Sequence, residues 1–217
     1  MLSIIIPVYN EEKTILRVID SVEQAFQDIT CEIIVVNDGS TDKTHELCDA
    51  RSGILYITLP ENHGKGFALR NGFINAKGEF TAIQDADLEY HPEILRKLFE
   101  ETKKGEVVYG KRDRKQGYFL NKLGNALLSA ICNMLYGSNL FDIYTCYKII
   151  PTNILQSLEL TSDGFEIEAE ITAKLLRRKI PIKEIPITYT PRTFQDGKHI
   201  RAKDAFTGIW TLVKNKF

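Results

Sequence analysis

The sequence predicts an α/β fold built on a mostly parallel, doubly wound sheet, and two observations predict it. Short apolar runs suited to buried strands alternate with helix-periodic segments through the first half of the chain, the signature of successive strand–helix–strand units. The chain has 217 residues, 43% of them hydrophobic, which is enough for one substantial core. One domain over 1–217 is therefore expected, with residues 1–110 forming one half and 111–217 a differently patterned second half.

The elements follow in order. Ile4-Ile5-Ile6 is the first strand. Ile15, Val18, Ile19 and Val22 then fall at helical spacing. Asn10 is the expected N-cap of that helix, with Glu11 and Glu12 suiting the positive end of its dipole. Ile33 to Val36 is the second strand, and Asn37-Asp38-Gly39-Ser40-Thr41-Asp42 a turn rich in capping residues. Ile54 to Leu59 gives the third strand, Gly66 to Ala76 a helix, and Phe80 to Gln84 the fourth strand. Pro92 opens the next helix at its first position. Val107-Val108-Tyr109 resumes the sheet. The second half carries a long amphipathic helix from about Leu120 to Leu135, a strand from Tyr144 to Ile150 and a helix around Phe165 to Arg178. An alternating strand follows over Pro181 to Thr188, then a loop from Tyr189 to Lys198 and a closing helix bearing Phe206, Ile209, Trp210 and Val213.

The tripeptide Asp85-Ala86-Asp87 stands where the fourth strand ends. Two carboxylates there are hard oxygen ligands, suited to Mg²⁺ or Mn²⁺ carrying a diphosphate. In an open α/β sheet, ligands collect at the carboxyl ends of strands. Pro7 to Glu12 leaves the first strand and Asn37 to Ser40 the second, so three polar strand ends converge on one rim. A nucleotide site requires such a rim, with groups for base and ribose and a cation for the phosphates.

Composition excludes other classes. A net charge of −1 argues against a general nucleic-acid binder. The C-terminal quarter is nonetheless basic: eleven Lys and Arg from Lys174 onward face only Glu184, Asp196 and Asp204. Cys31, Cys48, Cys132 and Cys146 are scattered without metal spacing and read as buried free thiols of a reducing compartment. No signal peptide and no bilayer-crossing segment is expected, since the most apolar stretch, Ala126 to Tyr136, falls short of the roughly 20 residues a spanning helix needs.

Further motifs sharpen the reading: Asn62-His63-Gly64-Lys65-Gly66-Phe67-Ala68-Leu69-Arg70, Gln84 to Leu88, Tyr109-Gly110-Lys111-Arg112, Asp142 to Lys148, Gly164 to Glu168, and Tyr189-Thr190-Pro191-Arg192. In that order the chain resembles family 2 glycosyltransferases of the Rossmann-like GT-A fold, and within them the polyprenyl-phosphate (dolichyl-phosphate-type) mannosyl- and glucosyltransferases. The resemblance implies a nucleotide-sugar donor, Mg²⁺ or Mn²⁺, a polyprenyl-phosphate acceptor and C-terminal helices on the acceptor side. It places Pro7, Tyr9, Glu11 and Asp38 at the base and ribose, Asp85 and Ala86 by the ribose and phosphates, and Asp87 as the direct metal ligand with Asp85 beside it. Gly64 and Gly66 would let backbone approach the donor, and Lys65 or Arg70 would offset phosphate charge. Arg112, Lys122, Arg192 and Lys198 would meet the lipid phosphate. The resemblance would make Asp87, Arg192, Asp142 and Glu166 the catalytic set, with Asp142 and Glu166 open between acting as base and positioning the donor sugar or an arginine.

Proton chemistry supports a phosphate acceptor independently. A phosphate monoester has a second pKa near ~6 and is largely a dianion at neutral pH. An alcohol, near ~15.7, must shed its proton to a positioned base, a difference of roughly 9 pKa units or about 12 kcal/mol. A phosphate acceptor calls for cations instead. The chain departs from the family where Gly197-Lys198-His199-Ile200 stands in place of a Gly-Lys-Ser-Lys ending, with Arg201 nearby, and where the arginine before the long helix is replaced by a choice of Arg114, Lys115 or Lys122. Many relatives also carry C-terminal membrane spans, so this chain is expected to meet the cytoplasmic membrane face peripherally, through its basic C-terminal region and the helices bearing Leu120, Leu123, Leu127 and Ile131 and Phe206 to Val213, or through a membrane-anchored partner. Alternatives are a family 2 transferase to a sugar hydroxyl, a sugar-nucleotide nucleotidyltransferase, which would carry a glycine in the Pro7 to Glu12 loop, and a non-catalytic nucleotide-binding subunit, which the paired aspartates disfavour.

Overall fold

The computed structural model describes residues 1–113, 119–190 and 202–217. Seven strands form one sheet: β1 (Leu2–Val8), β2 (Cys31–Asn37), β3 (Leu55–Thr58), β4 (Phe80–Ile83), β5 (Val107–Arg112), β6 (Lys148–Pro151) and β7 (Ile182–Ile187). The helices are α1 (Ile15–Ala25), α2 (Thr44–Asp49), α3 (Lys65–Asn75), α4 (Pro92–Glu100), α5 (Phe119–Tyr136), α6 (Thr152–Ser157), α7 (Ile167–Arg177) and α8 (Ala202–Lys214). Strand order is β3-β2-β1-β4-β6-β5-β7. Ile4, Ile5 and Ile6 are all 0% exposed, and because successive strand residues point to opposite faces, both faces of β1 are covered. Gly72 brings α3 down onto that strand, since a Cβ there would stand 2.3 Å from Ile5 Cγ2.

The sheet is parallel except at β6, which runs antiparallel to both β4 and β5. That reversal places the approach to β6 at the same rim where β1, β2, β4 and β5 end. β6 begins at Lys148, later than the expected Tyr144, because the residues before it spend their polar groups on side chains at the rim. Arg112 takes the Tyr144 carbonyl at 3.0 Å, and the Cys146 amide donates to the Tyr90 hydroxyl at 3.5 Å. Two helices went unforeseen: α2 and α6 have six residues each, too few to display a helical period.

Asn10 is not the cap of α1. Thr14 precedes that helix, and Asn10, at φ 54°, instead accepts the Thr41 amide at 2.8 Å while its own amide donates to Ser40 Oγ at 2.9 Å. Glu11 and Glu12 also lie before the helix. Glu12 accepts the Lys43 amide at 3.1 Å, and its amide returns a bond to Asp42 at 3.1 Å. These bonds tie the loop after β1 to the loop after β2.

A second, smaller core of Leu128, Cys132, Leu140, Ile143, Ala169, Ala173 and Leu212 joins α5, α7 and α8. Its outer side is apolar: Leu123, Leu127, Met134, Phe206 and Trp210 are each more than half exposed. No helix among the described residues is long and apolar enough to cross a membrane. The described cysteines are free, with Cys31 partly buried and the others buried.

Candidate active site

Parallel pairing fixes the rim. Val8 pairs with Asn37, the Asp38 amide donates to the Val8 carbonyl at 2.9 Å, and the Gln84 amide donates to Ile5 at 2.9 Å, so the exits of β1, β2 and β4 lie side by side. Pro7 is partly buried and Tyr9 is 44% exposed at this edge. Glu11 accepts the Thr14 hydroxyl at 2.6 Å, and its amide donates to Thr44 Oγ1 at 2.9 Å. Asp38, buried, spends its carboxylate on the loop after β3. It accepts Asn62 Nδ2 at 2.8 Å, the His63 amide at 2.9 Å and the Gly64 amide at 2.7 Å.

That loop leads into α3, whose N-terminus meets the segment before α7. Buried Glu170 grips this segment through the Thr161 amide at 3.0 Å and the Ser162 amide at 2.8 Å. The Asp163 carbonyl in turn accepts the Phe67 amide at 3.0 Å. Gly64 and Gly66 exist for this junction: a Cβ on either would stand 2.5 Å from the Asp163 or Ser162 carbonyl oxygen. The close backbone approach expected beside a donor is thus the chain's own. Arg70 belongs to the same junction. It pairs with Asp163, reaches the Leu160 carbonyl at 3.4 Å and lies over the Phe67 ring. Gly66→Ala is expected to cost about 1–3 kcal/mol, because the neighbour it strikes is backbone. A thermal melt reads this as a fall of about 2–4 °C per kcal/mol.

Asp85 and Asp87 leave β4 in a turn held from below by buried Gln84. Its amide nitrogen donates to the Asp85 carbonyl at 3.0 Å and the Tyr90 carbonyl at 3.2 Å, while its oxygen accepts the Tyr147 hydroxyl at 2.8 Å. Ala86 is buried between the two aspartates, which are partly exposed. Asp87 Oδ1 accepts the Glu89 amide at 3.0 Å, an Asx turn. Asp85 Oδ1 lies 2.8 Å from Lys65 Nζ, which is also 3.2 Å from Glu168 Oε1. Glu168 Oε2 pairs with Lys148, which is 0% exposed, donates to the Thr145 carbonyl at 2.5 Å and sits over the Tyr109 ring. An alternating charge chain, Asp85–Lys65–Glu168–Lys148, therefore runs from the rim into the core.

The charges respond to this setting. Burial works against the Lys65 ammonium, but the Asp85 and Glu168 carboxylates outweigh it and raise its pKa well above the usual lysine value. Burial likewise opposes the Asp85 carboxylate, and the Lys65 charge, helped by a hydrogen bond from Cys146, more than offsets it and lowers its pKa. At Lys148 burial wins over Glu168, and its pKa falls.

Arg112 ends β5 at the same rim and forms a two-pronged pair with Asp142, at 2.6 Å and 2.8 Å. Asp142 is 5% exposed, so this is a largely desolvated pair. Glu184 on β7 holds the loop carrying it, accepting the Phe141 amide at 2.8 Å and the Asp142 amide at 2.9 Å. Arg112 lies over the Tyr189 ring, Tyr189 stacks on Tyr90, and the Thr190 amide donates to the Glu89 carbonyl at 2.8 Å. The guanidinium is thereby tied to the turn carrying Asp85 and Asp87. Glu166, partly buried, precedes α7 and accepts the Gly164 amide at 3.1 Å. Arg192 and Lys198 lie outside the described residues, as do Arg114, Lys115, Arg201 and the side chain of Lys122.

Sequence reading missed Lys148, Gln84, Glu170 and Glu184 as organisers of the rim. A lysine inside the apolar run Tyr144 to Ile150 was the one signal available for Lys148, since a strand that buries a charge must pair it.

Carboxylates and cations gather at the exit rim of this sheet, where an open α/β fold collects its ligands. The chain belongs to glycosyl transferase family 2, whose pattern matches residues 3–158. The low-salt glycan biosynthesis hexosyltransferase Agl6 of Haloferax volcanii is 31% identical over 92% of this chain and 52% of its own length. The dolichol-phosphate mannosyltransferase of Pyrococcus furiosus is 29% identical over 94% of this chain and 60% of its own. The chain thus spans between half and two thirds of these curated relatives. Among solved structures, the Mycobacterium tuberculosis glucosyl-3-phosphoglycerate synthase in complex with Mn²⁺, UDP and phosphoglyceric acid superposes with a TM-score of 0.78. It is 23% identical, over 100% of this chain and 78% of that one, a likeness of fold.

Proposed function

We propose that this domain transfers a hexose, with inversion, from a nucleotide sugar such as UDP-glucose or GDP-mannose to a polyprenyl phosphate at the cytoplasmic face of a membrane, using Mg²⁺ or Mn²⁺. One observation carries the phosphate acceptor. Both oxygens of Asp142, a candidate base for an alcohol acceptor, are spent on Arg112. Asp142 is then a positioning residue that holds Arg112 at the rim, where the guanidinium charge favours a phosphate oxyanion.

Among the described residues no group of three or more His, Cys, Asp or Glu is placed to hold a metal ion, so a divalent cation here would be held by one or two carboxylates and the diphosphate it carries. Asp87 offers hard oxygens in a fixed turn, and the Lys65 ammonium already sits on Asp85 where positive charge belongs. A bound Mg²⁺ or Mn²⁺ would neutralise charge on the departing nucleoside diphosphate. Asp87 would hold it, with Asp85 beside it. Tyr9, Pro7, Glu11 and the loop fixed by Asp38 would frame the base and ribose. The lipid phosphate, drawn by Arg112 and in this proposal by Lys122, Arg192 and Lys198, attacks the anomeric carbon. The bond to the nucleoside diphosphate breaks as the new sugar–phosphate bond forms, and no proton need be removed from a dianionic acceptor.

The exposed apolar residues of α5 and α8 support peripheral seating of the acceptor side in a membrane interface, with basic residues such as Lys214 and Lys216 near the headgroups. Nucleotide release from a donor panel, measured with and without a short-chain polyprenyl phosphate, tests the proposal. Release that depends on the lipid is expected with one donor. Donor binding without lipid-dependent release would move the assignment to a hydroxyl acceptor, with Glu166 as the next base to test.

A further inference from the structure

The Lys65 ammonium stands between two carboxylates, 2.8 Å from Asp85 Oδ1 and 3.2 Å from Glu168 Oε1. Both contacts are ion pairs, and Glu168 Oε1 is a buried oxygen that accepts no hydrogen bond. Glu168 is 2% exposed, and its other oxygen is pinned by Lys148, itself anchored on the Thr145 carbonyl at 2.5 Å. The carboxylate therefore cannot turn away from Lys65. A buried acceptor left unfilled is costly, and Lys65 is the neighbouring cation placed to fill it.

We propose that Glu168 is a positioning residue for the cation site: its vacant oxygen receives the Lys65 ammonium when a divalent cation with a nucleoside diphosphate claims Asp85. This rests on the assignment of Asp85 and Asp87 to that site. Lys65 side-chain exposure is 14%, so leaving Asp85 with no second anion in reach would strand a mostly buried charge. Glu168 removes that penalty, because the ammonium exchanges one carboxylate for another within its own reach. Lys148 keeps Glu168 oriented for the exchange, which accounts for a fully buried lysine in β6.

A double-mutant cycle on binding, not on turnover, tests this. Mn²⁺ with UDP, and separately Mn²⁺ with GDP, is titrated calorimetrically into the wild-type chain, Glu168→Gln, Lys65→Gln and the double variant. With Lys65 present, Glu168→Gln is expected to weaken binding of the preferred Mn²⁺–nucleotide pair about tenfold, because the lysine then competes for Asp85; in the Lys65→Gln background the same change should cost less than about twofold. Unchanged affinity in Glu168→Gln, or equal losses in both backgrounds, would overturn the proposal. If a melt shows Glu168→Gln unfolded, Glu168→Gln with Lys148→Met replaces it in the cycle, since removing both buried charges spares the fold the unpaired lysine. A wild-type chain that binds neither pair overturns the cation-site assignment itself and this proposal with it.

Discussion

Asp87→Ala is expected to abolish Mn²⁺-dependent donor binding and to lower turnover by about 10² to 10³, the several kcal/mol a metal contributes to charge stabilisation in phosphate chemistry. The fold should survive. Asp87 is partly exposed in a turn, where it accepts the Glu89 amide. The alanine variant loses that Asx turn as well as the charge, so Asp87→Asn is the sharper instrument. Asparagine keeps an oxygen for the Glu89 amide but presents a neutral, weaker ligand to a hard cation. Both variants should melt near the wild type and fail alike in donor titrations with Mn²⁺. Unchanged donor affinity in Asp87→Asn would refute the assignment of Asp87 as the metal ligand.

Arg112→Gln is expected to have the second large effect, and it divides into two. Removing the guanidinium leaves Asp142 buried at 5% exposure without its charge partner, a loss of about 3–5 kcal/mol for a broken desolvated pair. It also removes the cation offered to the acceptor phosphate. Arg112→Gln with Asp142→Asn separates the two, because a neutral pair restores most of the stability without restoring the cation. Thermal melts should show the recovery. Turnover with the lipid phosphate should stay depressed in the double variant, with donor binding little changed. Recovery of turnover together with stability would show that Arg112 serves the fold alone.

Much of this molecule is legible in the sequence because its strands are short, apolar and closely spaced. Ile4 to Ile6, Ile33 to Val36 and Phe80 to Gln84 announce buried strands, and parallel pairing then forces their exits onto one rim. Asp85, Asp87 and Asp38 therefore share one rim on the strength of the strand pattern alone. What stayed hidden is the side-chain commitment of each charged residue. Arg70 and Asp163 are far apart in sequence, and nothing in a local pattern shows that they pair. The same holds for Arg112 with Asp142: the family resemblance offered a phosphate ligand and a residue open between base and partner of a sugar or an arginine, and no local pattern picked out Arg112 as that arginine. The antiparallel β6 was equally hidden, since an apolar run carries no direction. Its reversal is what brings the Asp142 to Tyr147 segment to the rim, and with it Lys148 and the charge chain to Asp85.

The amphipathic faces illustrate the same limit. Helical spacing put Phe206, Ile209, Trp210 and Val213 together, but spacing cannot tell a core face from an interfacial one. In the structure the helix divides: Leu212 is buried, Ile209 packs against the smaller core, and Phe206 and Trp210 project outward.

In the proposed reaction the acceptor is a lipid phosphate, and no base is needed to activate it. The most direct measurement compares two acceptors of the same chain length, a short polyprenyl phosphate and the corresponding polyprenol, with the donor that the panel identifies. Product formation is followed by mass spectrometry. Glycosyl transfer to the phosphate alone, giving a sugar–phosphate–lipid product, is the result this account requires. Transfer to the polyprenol, or to neither while a free sugar hydroxyl is glycosylated, would contradict it.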